Sequence, residues 1–267
     1  MKLLPVLPVL TCLAACGGSS APPVTGPTYG PASGFTGASA SQSYNPVTDE
    51  YTLNRTGLPS VTAAGDPTYD AGTFDAGNNG AGRGVFASET DSSSVALIVA
   101  SGEDSPTTVR TRRIADTTIP ASGNATLTGD YVAILSNNLT GAVDGIITGD
   151  ASLTMDWDSL TTSGDITNRV LRDPSTNDIL AGVSVADVEL GTSRPFSDRG
   201  SFGGDTTGGS IDANIVTGAP TFLGTGFYNG RVAGATGDEA VGSVNMIHNI
   251  VGGGTNRYER GAYALGH

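Results

Sequence analysis

Nine consecutive residues, Asp150-Ala151-Ser152-Leu153-Thr154-Met155-Asp156-Trp157-Asp158, alternate polar and apolar without a break. Side chains of a strand point to opposite faces in turn, so this period of two places Ala151, Leu153, Met155 and Trp157 on one buried face. The other face is wet. Ile211, Ala213 and Ile215 alternate with Ser210, Asp212 and Asn214 in the same way, and Ala125, Leu127, Tyr131, Ala133 and Leu135 line one side of residues 125–135. Further runs at 166–171, 183–190, 221–228, 241–248 and 258–265 bring the predicted strands to about eight. Glycine separates them: the chain has 39, about double the usual share, and carries no long amphipathic helical pattern.

Short antiparallel strands at spacings of about ten residues, joined by Gly, Asn and Asp turns, predict an all-β chain that forms a closed barrel or a sandwich. Closure removes exposed strand edges. Residues 119–267 are read as an eight-stranded antiparallel soluble β-barrel, and residues 47–118 as a smaller β subdomain. That subdomain has one firm strand at 94–100 and an arginine cluster at Arg110, Arg112 and Arg113. Residues 16–46 are rich in Gly, Ser, Pro, Ala and Thr, with too little apolar surface to offset the cost of ordering, and read as a disordered tether.

The first residues carry one positive charge at Lys2, an apolar run through Leu13, and small residues before Cys16. These are the parts of a secretory signal, too short to span a bilayer. Leu13-Ala14-Ala15-Cys16 resembles the lipobox of bacterial lipoproteins. The resemblance implies cleavage after residue 15 and lipidation of Cys16; Gly17 next to it implies the outer membrane. Several acyl chains on one residue anchor far more firmly than a single myristoyl group. Of the two cysteines, Cys12 leaves with the signal and Cys16 carries lipid, so no disulfide is expected and burial must stabilise the domain.

Charge narrows the partners. Lys2 is the only lysine, which leaves 12 Arg against 26 acids after processing, and 12 − 26 is −14. Such a surface repels nucleic acid and anionic lipid. Solubility is the plain explanation for the excess of acid.

The segment Gly226-Phe227-Tyr228-Asn229-Gly230, followed by Ala235 and Glu239-Ala240-Val241-Gly242, resembles a pattern of the β-barrel lipoproteins related to transferrin-binding protein B and factor H-binding protein. Asn229 is one residue more than that pattern wants, and 231–238 makes a longer connection. Physically it reads as a strand ending in two aromatics, a glycine turn, and a returning strand in which Gly242 avoids a packing clash. Gly129-Asp130-Tyr131 is similar to the opening strand of such barrels, and Glu259-Arg260-Gly261-Ala262-Tyr263 to their closing strand. The likeness covers about residues 120–267. It implies a lipid-anchored soluble barrel used for binding, without catalysis.

Catalytic motifs are missing from the sequence. His248 and His267 are the only histidines, no HExxH or GxSxG occurs, and no catalytic residue, metal ligand or cofactor site is assigned. His248 alternates with Val244 and Met246 and is expected as a strand-end residue. The run from Gly203 through Gly208-Gly209 to Asp212 is similar to calcium-binding glycine-aspartate repeats but lacks tandem repetition, so a hairpin turn is expected. Trp157 is assigned to the core. Phe227, Tyr228 and Arg231, beside the charged connection 230–238, are the candidate ligand-facing residues, because binding energy concentrates on aromatics and arginine near loops.

These observations imply an outer-membrane lipoprotein that binds a ligand, as a monomer, or acts as an accessory to an outer-membrane transporter or extracellular protein ligand. A structural or adhesive surface lipoprotein without a small ligand fits the same composition. A membrane-embedded barrel would need apolar outward faces and aromatic girdles, and the chain has one Trp and polar strand faces.

Overall fold

The computed structural model describes residues 25–36, 41–45, 50–55, 58–64, 75–76, 82–89, 93–100, 107–212, 221–250 and 256–266. Among them every regular element is a strand. The first ten are β1 (Thr25–Tyr29), β2 (Ala32–Thr36), β3 (Ser41–Asn45), β4 (Glu50–Arg55), β5 (Leu58–Ala64), β6 (Asp75–Ala76), β7 (Gly82–Glu89), β8 (Ser93–Ala100), β9 (Thr107–Arg113) and β10 (Thr117–Pro120). Then follow β11 (Asn124–Asn137), β12 (Val143–Asp156), β13 (Thr161–Arg172), β14 (Ser184–Val185), β15 (Val188–Leu190), β16 (Ser201–Gly208), β17 (Ile211–Asp212), β18 (Thr221–Ala233), β19 (Glu239–Ile250) and β20 (Arg257–Gly266).

Eight of these close a barrel in up-and-down order: β11, β12, β13, β15, β16, β18, β19 and β20, each antiparallel to the next. β20 returns to pair with β11, from Thr128↔Gly266 to Asn137↔Arg257. β14 and β17 form a short extra ladder on the end of β18. The smaller sheets run β2-β9-β8-β7-β6, β3-β4-β5 and β1-β10.

Alternation fills the barrel. Leu127, Tyr131, Ala133 and Leu135 of β11 and Ala151, Leu153 and Met155 of β12 join Trp157 in one buried interior cluster. Residues 131–135 are nevertheless buried on both faces, where a strand with one wet side was expected. Val132 and Ile134 point outward and pack with Ile146, Val241, Ala262, Ala264 and Val109 of β9 in a second cluster. β8 and β9 lie against β19 and β20, so the small sheet covers part of the barrel's outer wall. Burial on both faces accounts for the continuous apolar run Tyr131-Val132-Ala133-Ile134-Leu135.

Several expected boundaries move. Strand pairing begins inside the expected tether, with β1 on β10 and β2 on β9, and Tyr29 is buried. Arg113 makes that junction. Its Nε and Nη2 donate to the Gly30 carbonyl at 2.9 and 2.5 Å, Nη1 to Val232 O at 2.9 Å, and Nη2 to Arg199 O at 3.0 Å. Its guanidinium also stands 5.5 Å from the centre of the Tyr29 ring. The expected hairpin turn at 203–212 is mostly strand: Gly203, Gly204 and Asp205 pair with Asn229, Tyr228 and Phe227, and only Gly209 and Ser210 separate β16 from β17, with Gly208 and Gly209 both at positive φ. Likewise Phe227 and Tyr228 lie mid-strand, because β18 continues to Ala233 and the connection shrinks to residues 234–238. The expected alternation at Ala213 and Ile215, and the signal with Cys16, lie outside the described residues.

Candidate functional site

Two groups of residues carry chemistry: a sealed polar cluster inside the barrel and an apolar row on its outer wall. The cluster depends on a local irregularity in β13. Ile166 faces inward, but the register slips opposite Thr148 and Asp150, and Asn168 adopts φ 53°. Asn168 Nδ2 donates to Asp150 Oδ2 at 2.7 Å, which holds a conformation that Asn tolerates better than most residues. The extra residue reverses the parity of the strand, and Arg169 and Leu171 point inward.

Inside, Arg169 meets Glu259 of β20. Arg169 Nη2 donates to both carboxylate oxygens at 2.6 Å, and Nη1 to the Ala186 carbonyl at 2.6 Å. Tyr131 of β11 donates its hydroxyl to Glu259 Oε1 at 2.6 Å, and His248 Nε2 of β19 lies 2.7 Å from Oε2. The side chains of Arg169, His248 and Glu259 have no exposure. Burial opposes ionisation of Glu259, yet the Arg169 guanidinium, His248 and the Tyr131 hydroxyl outweigh it and hold the carboxyl at about 2. Burial and the Glu259 charge push the Tyr131 phenol well above its ordinary range. These are residue types that transfer protons, but with no exposed atom the cluster instead ties β11, β13, β19 and β20 together. His248, expected as a strand-end residue, lies two residues from the end of β19 with its side chain in the interior.

Aromatic rings fill the other half of the interior. Trp157 meets Phe196 edge to face at 6.1 Å, and Phe196, Phe202 and Tyr228 continue the chain of contacts at 5.6 and 6.4 Å. The Tyr228 hydroxyl donates to Gly191 O at 2.7 Å and Thr162 O at 3.0 Å, and burial raises its pKa. Tyr228 therefore faces the core and not an external ligand, which corrects its assignment as ligand-facing. A methyl group on Gly242 would overlap the Tyr263 phenol, the clash anticipated from the sequence.

Phe227 takes the opposite face and is 49% exposed. Pairing of β18 with β19 sets Ile247 across from Thr225, between Leu223 and Phe227 on the outer wall. Leu223 and Ile247 are exposed too. Tyr258 pairs with Ile247, and the Arg260 guanidinium lies 5.7 Å from the Tyr258 ring centre. Arg231, on the same face as Phe227 and half-buried, donates to Ser201 Oγ at 3.1 Å. Burial and the nearby Arg199 lower its pKa. Sequence reasoning missed Arg169 and Glu259, although Tyr131 and Glu259 stood within the strands it matched to a family.

No family model and no curated protein matches the chain. Among solved structures, it matches the intact Ap transferrin-binding protein B with its N and C lobes at 15% identity and TM-score 0.41, covering 83% of this chain and 43% of that one. The chain resembles transferrin-binding protein B. The isotype 1 protein of serogroup B Neisseria meningitidis matches at 12% identity and TM-score 0.41, over 89% of this chain and 42% of the other. A tryptophan-to-alanine variant from Haemophilus parasuis Hp5 matches at 14% and 0.44, over 89% and 45%. The chain spans less than half the length of each of these proteins. The barrel itself rests on the pairing of β20 with β11.

Proposed function

We propose that this chain is a lipid-anchored bacterial outer-membrane lipoprotein whose barrel binds an extracellular protein ligand for acquisition, alone or as an accessory to an outer-membrane transporter. The observation that carries the reading is a filled barrel with its apolar display outside. Trp157, Phe196, Phe202 and Tyr228 occupy the interior, while Leu223, Phe227 and Ile247 stand exposed on one wall. Recognition then belongs to the exterior, where aromatics concentrate binding energy. The Leu13 to Cys16 segment supports anchoring through Cys16, with Phe227 and Arg231 on the ligand-facing wall.

Membrane fractionation tests the anchor. The native protein should remain in the membrane pellet after a salt and carbonate wash, and Cys16→Ser should move to the soluble fraction with its fold intact, because anchoring resides in the acyl chains. Retention of the variant in the pellet would refute the reading.

A further inference from the structure

Strand pairing joins three exposed side chains into one patch on the barrel's outer wall. Six large apolar side chains are exposed among the described residues, and half of them stand here: Leu223 and Phe227 on β18 and Ile247 on β19. Ile247 pairs with Thr225, whose small side chain leaves a gap between Leu223 and Phe227. Tyr258 of β20 lies on the other side of Ile247. The wall is covered farther along the same strands, where Val109 of β9 packs with Val241, Ala262 and Ala264. The patch continues a face that the chain already covers once with a sheet.

Charge changes sign across this patch. Asp205 of β16 pairs with Phe227, Phe227 with Asn245, and Asn245 with Arg260 of β20, so these four make one row across four strands. All four point outward, because their chain neighbours Thr206, Tyr228, Val244 and Glu259 are buried. An acid thus ends the row on one side of the apolar centre and a cation ends it on the other. Asp205 is exposed, and Arg260 is half-buried beside the Tyr258 ring. A surface patterned in this way is complementary to itself when turned over.

We infer that two copies of this chain pair face to face through Leu223, Phe227 and Ile247, where the sequence alone suggests a monomer. A two-fold axis parallel to the strands, above the line between β18 and β19, lays β18 of one copy over β19 of the other. Each row keeps its level and reverses its order, so Asp205 faces Arg260 of the second copy and Phe227 faces Asn245. Ile247 of the second copy then comes down over Thr225, into the gap between Leu223 and Phe227, and symmetry repeats the insertion. Sheets stacked in this way stand about 10 Å apart with their strands within about 30°, a spacing that interdigitated side chains fill. An axis across the strands would instead set Asp205 against Asp205 and Arg260 against Arg260, which like-charge repulsion forbids. The contact is small and each chain carries a net charge of −13, so the pair is weak, with dissociation in the micromolar range. A ligand and a second copy exclude each other on this wall, and a strictly monomeric chain would leave the ligand reading standing.

Sedimentation equilibrium tests the pairing on residues 17–267, which contain every described residue, at about 1–100 µM protein and physiological salt. The native chain should move from monomer to dimer across this range. Phe227→Ser combined with Ile247→Ser should weaken the pair about tenfold or more. Asp205→Arg and Arg260→Glu should each weaken it about tenfold, because each sets like charges face to face at both ends of the contact. An equimolar mixture of these two variants should pair as well as the native chain, since every facing pair in the mixed dimer is again opposite in sign. If Arg260→Glu does not fold, the same contact is read from Asp205→Arg, which should weaken the pair more than Asp205→Asn does. A chain that stays monomeric throughout, a dimer indifferent to the Phe227 and Ile247 substitutions, or a mixture as weak as its components overturns the inference.

Discussion

Replacing Glu259 by Gln tests whether the interior cluster is an ion pair held by burial or only a set of hydrogen bonds. The substitution keeps the volume and leaves acceptors for Tyr131 and Arg169, but removes the charge that balances a guanidinium with no exposure. Breaking a buried pair by removing one partner costs about 3–5 kcal/mol. The acid limb supplies a second, independent magnitude. The native carboxyl sits at about 2 against an ordinary 4.5, so its contribution is present above pH 4.5 and is lost as pH falls toward 2. At about 1.36 kcal/mol per pH unit, that difference is worth about 3 kcal/mol. Glu259→Gln has no such group to protonate. Urea unfolding followed through Trp157, the only tryptophan and a buried one, gives the stability of both proteins at each pH. The gap between them should be widest at pH 7 and narrow steadily between pH 4.5 and 2. A gap that stays constant with pH, or that is under about 1 kcal/mol at pH 7, would refute the ion-pair account.

Other predictions use the same melts. Tyr228→Ala should destabilise by about 3–5 kcal/mol, whereas Phe227→Ala on the outer wall should change stability by about 0.5 kcal/mol or less. Equal losses would contradict the opposed faces of β18. Gly242→Ala forces a methyl into the Tyr263 phenol, and overpacking of this kind should cost about 1–3 kcal/mol or more in the same assay. Arg113→Met leaves the carbonyls of Gly30, Val232 and Arg199 without their donor; amide exchange should accelerate in β1 while β12 and β13 stay protected. Uniform acceleration across the barrel would instead make Arg113 part of the global core.

The barrel was legible wherever one face is wet. Ala151, Leu153, Met155 and Trp157 were placed correctly because Ser152 and Thr154 between them face away from the interior. Legibility failed at Val132 and Ile134, since a strand covered on both sides loses its alternation and nothing local reveals that Val109 lies above it. It failed again at Arg169. The parity of β13 depends on a single bulge at Asn168, and a period count carried through that residue points every later side chain the wrong way. Glu259 was read only as part of a closing strand, and His248 as a strand-end residue in step with Val244 and Met246, so neither was paired with a partner. Their partners Arg169 and Tyr131 are 90 and 128 residues from Glu259, so no spacing rule links them. The outer-wall assignment fared unevenly: Phe227 and Tyr228 follow the strict alternation of β18, and only one of them can face a partner.

The pairing of β20 with β11 also sets when the molecule can fold. Until residues 257–266 are present, β11 and β19 each keep a bare edge, and Arg169 has no carboxylate to enter the interior with. Contacts that bridge so much sequence form slowly, because loop closure precedes the gain in packing. The sheet therefore stays open until β20 is in place, and one pairing event both closes the ring and seals the interior charge.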